Sequence, residues 1–137
     1  MSGPEAAIKA LMDAKTIAVV GLDTRESRTA YRIADYLQKA GYRIIPVWVQ
    51  QEASEVLGER AYASLRDVAE EIDFVDVFVR SEHTDPVIDD AIAIGAGAIW
   101  LQQGISNDEG LKRAEEAGLI VMQDRCTMVD HRRELRG

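Results

Sequence analysis

The chain has 137 residues, 47% of them hydrophobic and 29% charged, and a formal net charge of -8. That length suits one domain with one core, and the charge makes nucleic acid a poor partner, although 16 Lys and Arg leave room for a local anion pocket. A lone cysteine, Cys126, excludes an intramolecular disulfide, no apolar run reaches the ~18 residues of a membrane span, and Met1 to Leu11 lack the basic and apolar regions of a secretory signal. The expectation is a cytoplasmic protein with no membrane partner.

Pro4 to Asp13 reads as a lead-in helix, with Pro4 at a first helical position and Ser2 with Glu5 at capping-box spacing. Thr16 to Val20 is almost wholly apolar, as a strand buried on both faces should be. Ala30, Ile33, Ala34 and Leu37 recur at helical spacing, and Gly41 closes that helix. Tyr42 to Val49 reads as a second strand, with Pro46 placing it on an edge or near the end of its pairing. Gln50 to Leu57 reads as loop and Ser64 to Glu70 as a short helix.

Asp73 to Val79 is a third strand. Asp85 and Pro86 open a helix as N-cap and first-turn proline, ending at Gly95. Ala98 to Gln102 is a fourth strand, Ser106 to Glu109 a capping pattern for a helix to about Ala117, and Leu119 to Gln123 a fifth strand. His131 to Gly137 reads as a charged, frayed tail. Three helices ending in glycine with a strand directly after each predict a single doubly wound α/β domain spanning 1–137. Its parallel sheet has five strands, with helices on both faces.

The functional signal centres on Gly21 to Thr29, between the first strand and the next helix. In such sheets a ligand phosphate sits there, met by the free N–H groups of the helix. Only Gly21 is present where a dinucleotide turn needs three glycines, and no G-K-[ST] occurs, so neither NAD nor a Walker A loop fits. Instead the loop offers the hydroxyls of Thr24, Ser27 and Thr29 with Arg25 and Arg28. The alternative is that Ser27 or Thr29 caps the helix and both arginines are solvated.

The second strand tip carries no acid for a ribose, which again counts against NAD; Trp48 there suits either adenine stacking or the core. Arg80 follows the third strand as a phosphate or adenine contact, or as a surface ion pair. Gln102 and Gln103 follow the fourth, as donors to a ligand amide or as solvated strand ends. Cys126 follows the fifth, as an inert thiol or a functional one whose thiolate Arg125 would favour. His83 and His131 are isolated, giving no metal site, and no nucleophile–base–orienter set is readable, so no catalytic residue is assigned.

Taken together, IAVVGLDTRESRTAYRIADYL (Ile17 to Leu37), GYRIIPV (Gly41 to Val47), VLGERAYASLRDV (Val56 to Val68) and VDVFVRSE (Val75 to Glu82) form an ordered set with AIWLQQGISN (Ala98 to Asn107) and AGLIVMQDRC (Ala117 to Cys126). The set resembles the small stand-alone CoA-binding proteins, similar to the CoA-binding domain of the succinyl-CoA synthetase alpha subunit. The resemblance implies a Rossmann-like fold that binds coenzyme A. The diphosphate would lie at Gly21, Leu22, Asp23, Thr24, Arg25 and Arg28, and the adenosine toward Val47, Trp48, Val79 and Arg80. The pantetheine would pass Gln103 toward Cys126.

The synthetase's second domain and catalytic histidine have no counterpart here, so ligase activity does not carry over. Pro46 to Val49 replaces the family's common Pro-Val-Asn-Pro, which remodels the adenosine-side loop. The reading is a stand-alone binding module for CoA or acyl-CoA. The alternatives are an enzyme acting on an acyl-CoA or adenosine-phosphate substrate, or a nucleotide-sensing regulator that signals through a partner, with a homodimer as one route.

Overall fold

The computed structural model describes residues 3–48 and 54–137. Strand β1 (Thr16–Val20) lies between β2 (Arg43–Val47) and β5 (Phe74–Val77), with β6 (Ala98–Leu101) and β7 (Ile120–Met122) beyond, in the order β2-β1-β5-β6-β7. All four pairings are parallel, so the strands are joined by crossover connections and not by tight hairpins. Helix α2 (Thr29–Lys39) leads to β2, α3 (Thr84–Ala93) to β6 and α4 (Asp108–Glu116) to β7; α1 (Pro4–Asp13) precedes β1.

Alternation along the strands builds two cores. Ala18, Val20, Val75, Val77, Ile99 and Leu101 meet Val87, Ile88 and Ala91 of α3 and Leu111 and Ala114 of α4. Ile17, Val19, Phe74 and Trp100 meet Leu11 of α1 and Ile33, Ala34 and Leu37 of α2. This is the expected Rossmann-like α/β sheet with helices on both faces. The order reverses at β1, so the carboxyl ends of β1 and β5 open a switch-point crevice.

Five features differ from the sequence expectation. Ser64 to Glu70 is only a 3-10 turn, Leu65–Asp67, because Leu65 alone is buried and Val68 is already extended. Within the expected loop, Glu55–Val56 (β3) pairs antiparallel with Glu59–Arg60 (β4) around Leu57 and Gly58, both at positive φ (55° and 75°). Residues 50–53 of that loop, and Val49, lie outside the described residues. Arg43 pins this hairpin by pairing with Glu59 at 2.8 Å.

Asp85 is not the N-cap of α3; His83 is, and the Asp85 carboxylate instead accepts from Asn107 and Arg113 of the neighbouring α4 region. Ser2 lies outside the described residues, and Gly3 is the N-cap of α1. The largest correction is at the tail. Thr127–Arg136 forms helix α5, whose Asp130 and His131 are buried. His131 Nδ1 shares a 2.8 Å hydrogen bond with the Tyr36 hydroxyl of α2, so polar partners dock this helix where no apolar stripe announced one.

Candidate functional site at the carboxyl edge of the sheet

Gly21 turns the chain out of β1 at φ 97°, and its N–H donates to Val47 O at 2.7 Å. A Cβ at this position would lie 3.2 Å from the Phe78 carbonyl carbon. Glycine is therefore required both by conformation and by the closeness of the segment leaving β5. Leu22 follows, fully buried beneath the loop with the α1–α2 core.

Asp23 is 4% exposed and accepts from the Arg25 backbone N–H at 2.8 Å and from its Nε at 3.0 Å. The Arg25 guanidinium holds the Asp23 carboxyl below the usual carboxylate range, against the opposing effect of burial. The same guanidinium stands 5.9 Å from the centre of the Trp48 ring, which couples the loop to the tip of β2. Thr24 and Arg28 are exposed. Arg28 is the N-cap of α2, and neither it nor any neighbour caps that helix with a side chain; its first turn also lacks an acid. Ser27 and Thr29 thus do not serve as the side-chain cap that was the alternative reading. The leading N–H groups of α2 remain open toward the loop.

The remaining sequence candidates fall in two places. Val79, half-buried, and Arg80, exposed, leave β5 beside Gly21, whose added Cβ would come within 3.4 Å of Val79 N. Trp48 is half-buried, and its backbone N–H donates to Tyr62 O at 2.8 Å. Between these tips and α3 lies an apolar slot of about 50 Å³, lined by Val20, Val47, Ala63, Leu65, Pro86 and Val87. Its lining beyond Val47 escaped the sequence reading because Leu65 and Val87 carry only the signature of core-facing residues.

Gln103 and Cys126 gather instead around a cleft of about 320 Å³ past β6 and β7, with Asp124, Arg125, Val129 and Arg133. The Arg125 guanidinium bonds the Asp130 carboxylate at 2.9 and 2.8 Å. Gln102 is not a solvated strand end. It is 3% exposed, and its Oε1 accepts from the Thr127 N–H at 3.0 Å. Among the described residues no group of His, Cys, Asp and Glu could hold a metal ion, and no helix is long and apolar enough to cross a membrane.

A five-stranded parallel sheet with a switch-point crevice, a close-approach glycine and helices on both faces defines the class: a Rossmann-like α/β domain. Within that class, the chain belongs to the CoA binding domain family, whose model matches residues 15–132. It is 40% identical over 121 residues to the uncharacterized protein YneT of Bacillus subtilis (strain 168), covering 88% of each chain. It superposes on a hypothetical protein from Pyrococcus horikoshii OT3 with a TM-score of 0.89 and 38% identity, over 96% of this chain and 91% of that one. It also resembles the dinucleotide forming acetyl-coenzyme A synthetase 1 of Ca. Korarchaeum cryptofilum, with a TM-score of 0.72 and 25% identity, over 83% of this chain but 27% of the synthetase.

Proposed function

We propose that the chain is a stand-alone, cytoplasmic binding module for coenzyme A or an acyl-CoA, acting as one domain over residues 1–137. Family membership supports CoA as the ligand, and the observation that carries the placement is the uncapped start of α2 beside Gly21. A diphosphate there accepts from the leading backbone N–H groups of α2 and meets the exposed Arg28. Arg25 contributes as part of the Asp23–Arg25–Trp48 cluster, neutralised on one side by Asp23.

The adenosine lies against Trp48, Val79 and Arg80 and uses the apolar slot between β2 and α3. The pantetheine runs past Gln103 into the cleft at Cys126, so its thiol ends where the chain keeps its single cysteine.

Thermal shift with CoA, acetyl-CoA, NAD, NADP and ATP tests the reading. Ligand at a hundredfold excess over its dissociation constant stabilises by about 2.7 kcal/mol. A shift with CoA or acetyl-CoA and not with NAD supports the reading; a shift with NAD alone rejects it. Size-exclusion chromatography of the same samples separates a passive module from a regulator, since only the regulator changes oligomeric state with ligand.

A further inference from the structure

Behind the Cys126 cleft, on the sheet face covered by α5, three polar side chains meet among apolar neighbours. Asp76 lies between Val19 and Trp100 in register and is wholly buried. Its Oδ2 is 2.9 Å from Thr127 Oγ1, and its Oδ1 has no hydrogen-bond partner among the described residues. Thr127 Oγ1 is in turn 2.8 Å from Gln102 Oε1.

The protons can be counted. Because the Thr127 N–H donates to the same Gln102 atom, that atom must be the amide oxygen and not the nitrogen. Two oxygen–oxygen contacts of hydrogen-bond length therefore need two protons, and the Thr127 hydroxyl has one. Asp76 supplies the other as a carboxylic acid: its O–H donates to Thr127 Oγ1, which donates to Gln102 Oε1.

The surroundings favour that form. Desolvation pushes the Asp76 carboxyl up to about 8, opposed only by the Thr127 hydrogen bond. Strands β1 and β6 carry no charged residue. On α5, Asp130 is paired with Arg125 and Arg133, and His131 bonds Tyr36. Asp23 is paired with Arg25, and Glu5, Lys9 and Asp13 of α1 and Arg32 and Lys39 of α2 are exposed, with Lys39 bonding the half-buried Asp35.

We propose that the Asp76 proton is a latch on the Cys126 turn, so that its loss frees the thiol end of the cleft. Thr127 is the first residue of α5 and Cys126 its N-cap. Once the carboxyl ionises and its proton leaves to solvent, one hydroxyl proton faces two acceptors. The Thr127 hydroxyl then keeps only one of its two contacts, to Asp76 or to Gln102, and the turn loosens, held on the Gln102 side by the Thr127 N–H. The latch belongs to the protein without ligand and does not depend on which nucleotide the crevice holds.

The test uses ligand-free wild type and Asp76→Asn, whose amide donates to Thr127 at every pH. Infrared spectroscopy should show a protonated-carboxyl carbonyl band at about pH 6 that fades as pH rises through about 8 and is missing from the variant. Alkylation of Cys126, the single thiol, should run at equal rates in both proteins at about pH 6. Above about pH 8 it should run several-fold faster in wild type, the thiolate contribution cancelling in the ratio. If Asp76→Asn fails to fold, Thr127→Val replaces it as the reference, with fast alkylation and no step near pH 8. Absence of the band from wild type at about pH 6, or a rate ratio that stays flat, overturns the latch.

Discussion

Gly21 combines two constraints that a single substitution tests at once. An alanine there must adopt a φ of 97° and place its Cβ 3.2 Å from the Phe78 carbonyl carbon. We expect Gly21→Ala to lose about 1–3 kcal/mol of stability, the usual strain of a non-glycine residue in that region. We also expect it to abolish the CoA thermal shift, because the displaced loop no longer presents the α2 N–H groups. Urea denaturation and the ligand panel check both; an alanine variant of normal stability and CoA response would remove Gly21 from the site. At the opposite end, Cys126 is half-buried at the wall of its cleft. Protein incubated with CoA disulfide should form a mixed disulfide, the Cys126 thiolate displacing one CoA thiolate. Intact-mass spectrometry should show one CoA adduct, lost in Cys126→Ser; an accessible but unmodified thiol would refute the pantetheine path.

At the level of elements, α5 shows where sequence legibility ended. The sheet strands announce themselves as short continuous apolar runs and α2 through its apolar period of 3.6. Helix α5 buries Thr127, Asp130 and His131, residues that a hydrophobicity pattern assigns to solvent. Its docking is encoded in partners far along the chain: Tyr36 for His131, Gln102 for Thr127 and the Trp100 indole N–H for Arg125 O. No local signal carries such pairings. The site divides in the same way. Gly21 and the hydroxyl–arginine loop were readable because their position after β1 has a physical meaning, whereas the Arg25–Asp23 pairing and the structural role of Gln102 needed coordinates. Gln102→Leu follows from this. It orphans the Thr127 N–H and leaves the hydroxyl with Asp76 as its remaining partner, so it should destabilise by about 1–3 kcal/mol. Hydrogen exchange should accelerate at the α5 amides while those of β1 stay protected. Equal acceleration in both elements would mean that Gln102 supports the whole core and not the docking of α5.

For the whole molecule, stability against pH is the sum of carboxyl groups pulled in opposite directions. Arg25 lowers the Asp23 value and Arg43 lowers that of Glu70. Each such group adds stability above its unfolded value and gives it up as pH falls through the folded one. Asp76 runs the other way. Its folded value is raised from 3.8 to about 8, so its contribution is complete below about pH 4 and declines until the folded carboxyl also ionises. Between those limits the unfolded chain holds about one proton fewer than the folded one at this site, a slope approaching roughly 1.4 kcal/mol per pH unit. Asp76→Asn removes that term alone and keeps the hydrogen-bond chain through Thr127. The stability of the variant minus that of wild type should therefore climb from about pH 4 to about pH 8 and then level off, while the acid arm set by Asp23 and Glu70 cancels in the difference. Urea midpoints of the two proteins across that range check it. A difference that does not change with pH would place the Asp76 carboxyl at its ordinary value and leave the proton count at Thr127 without its donor.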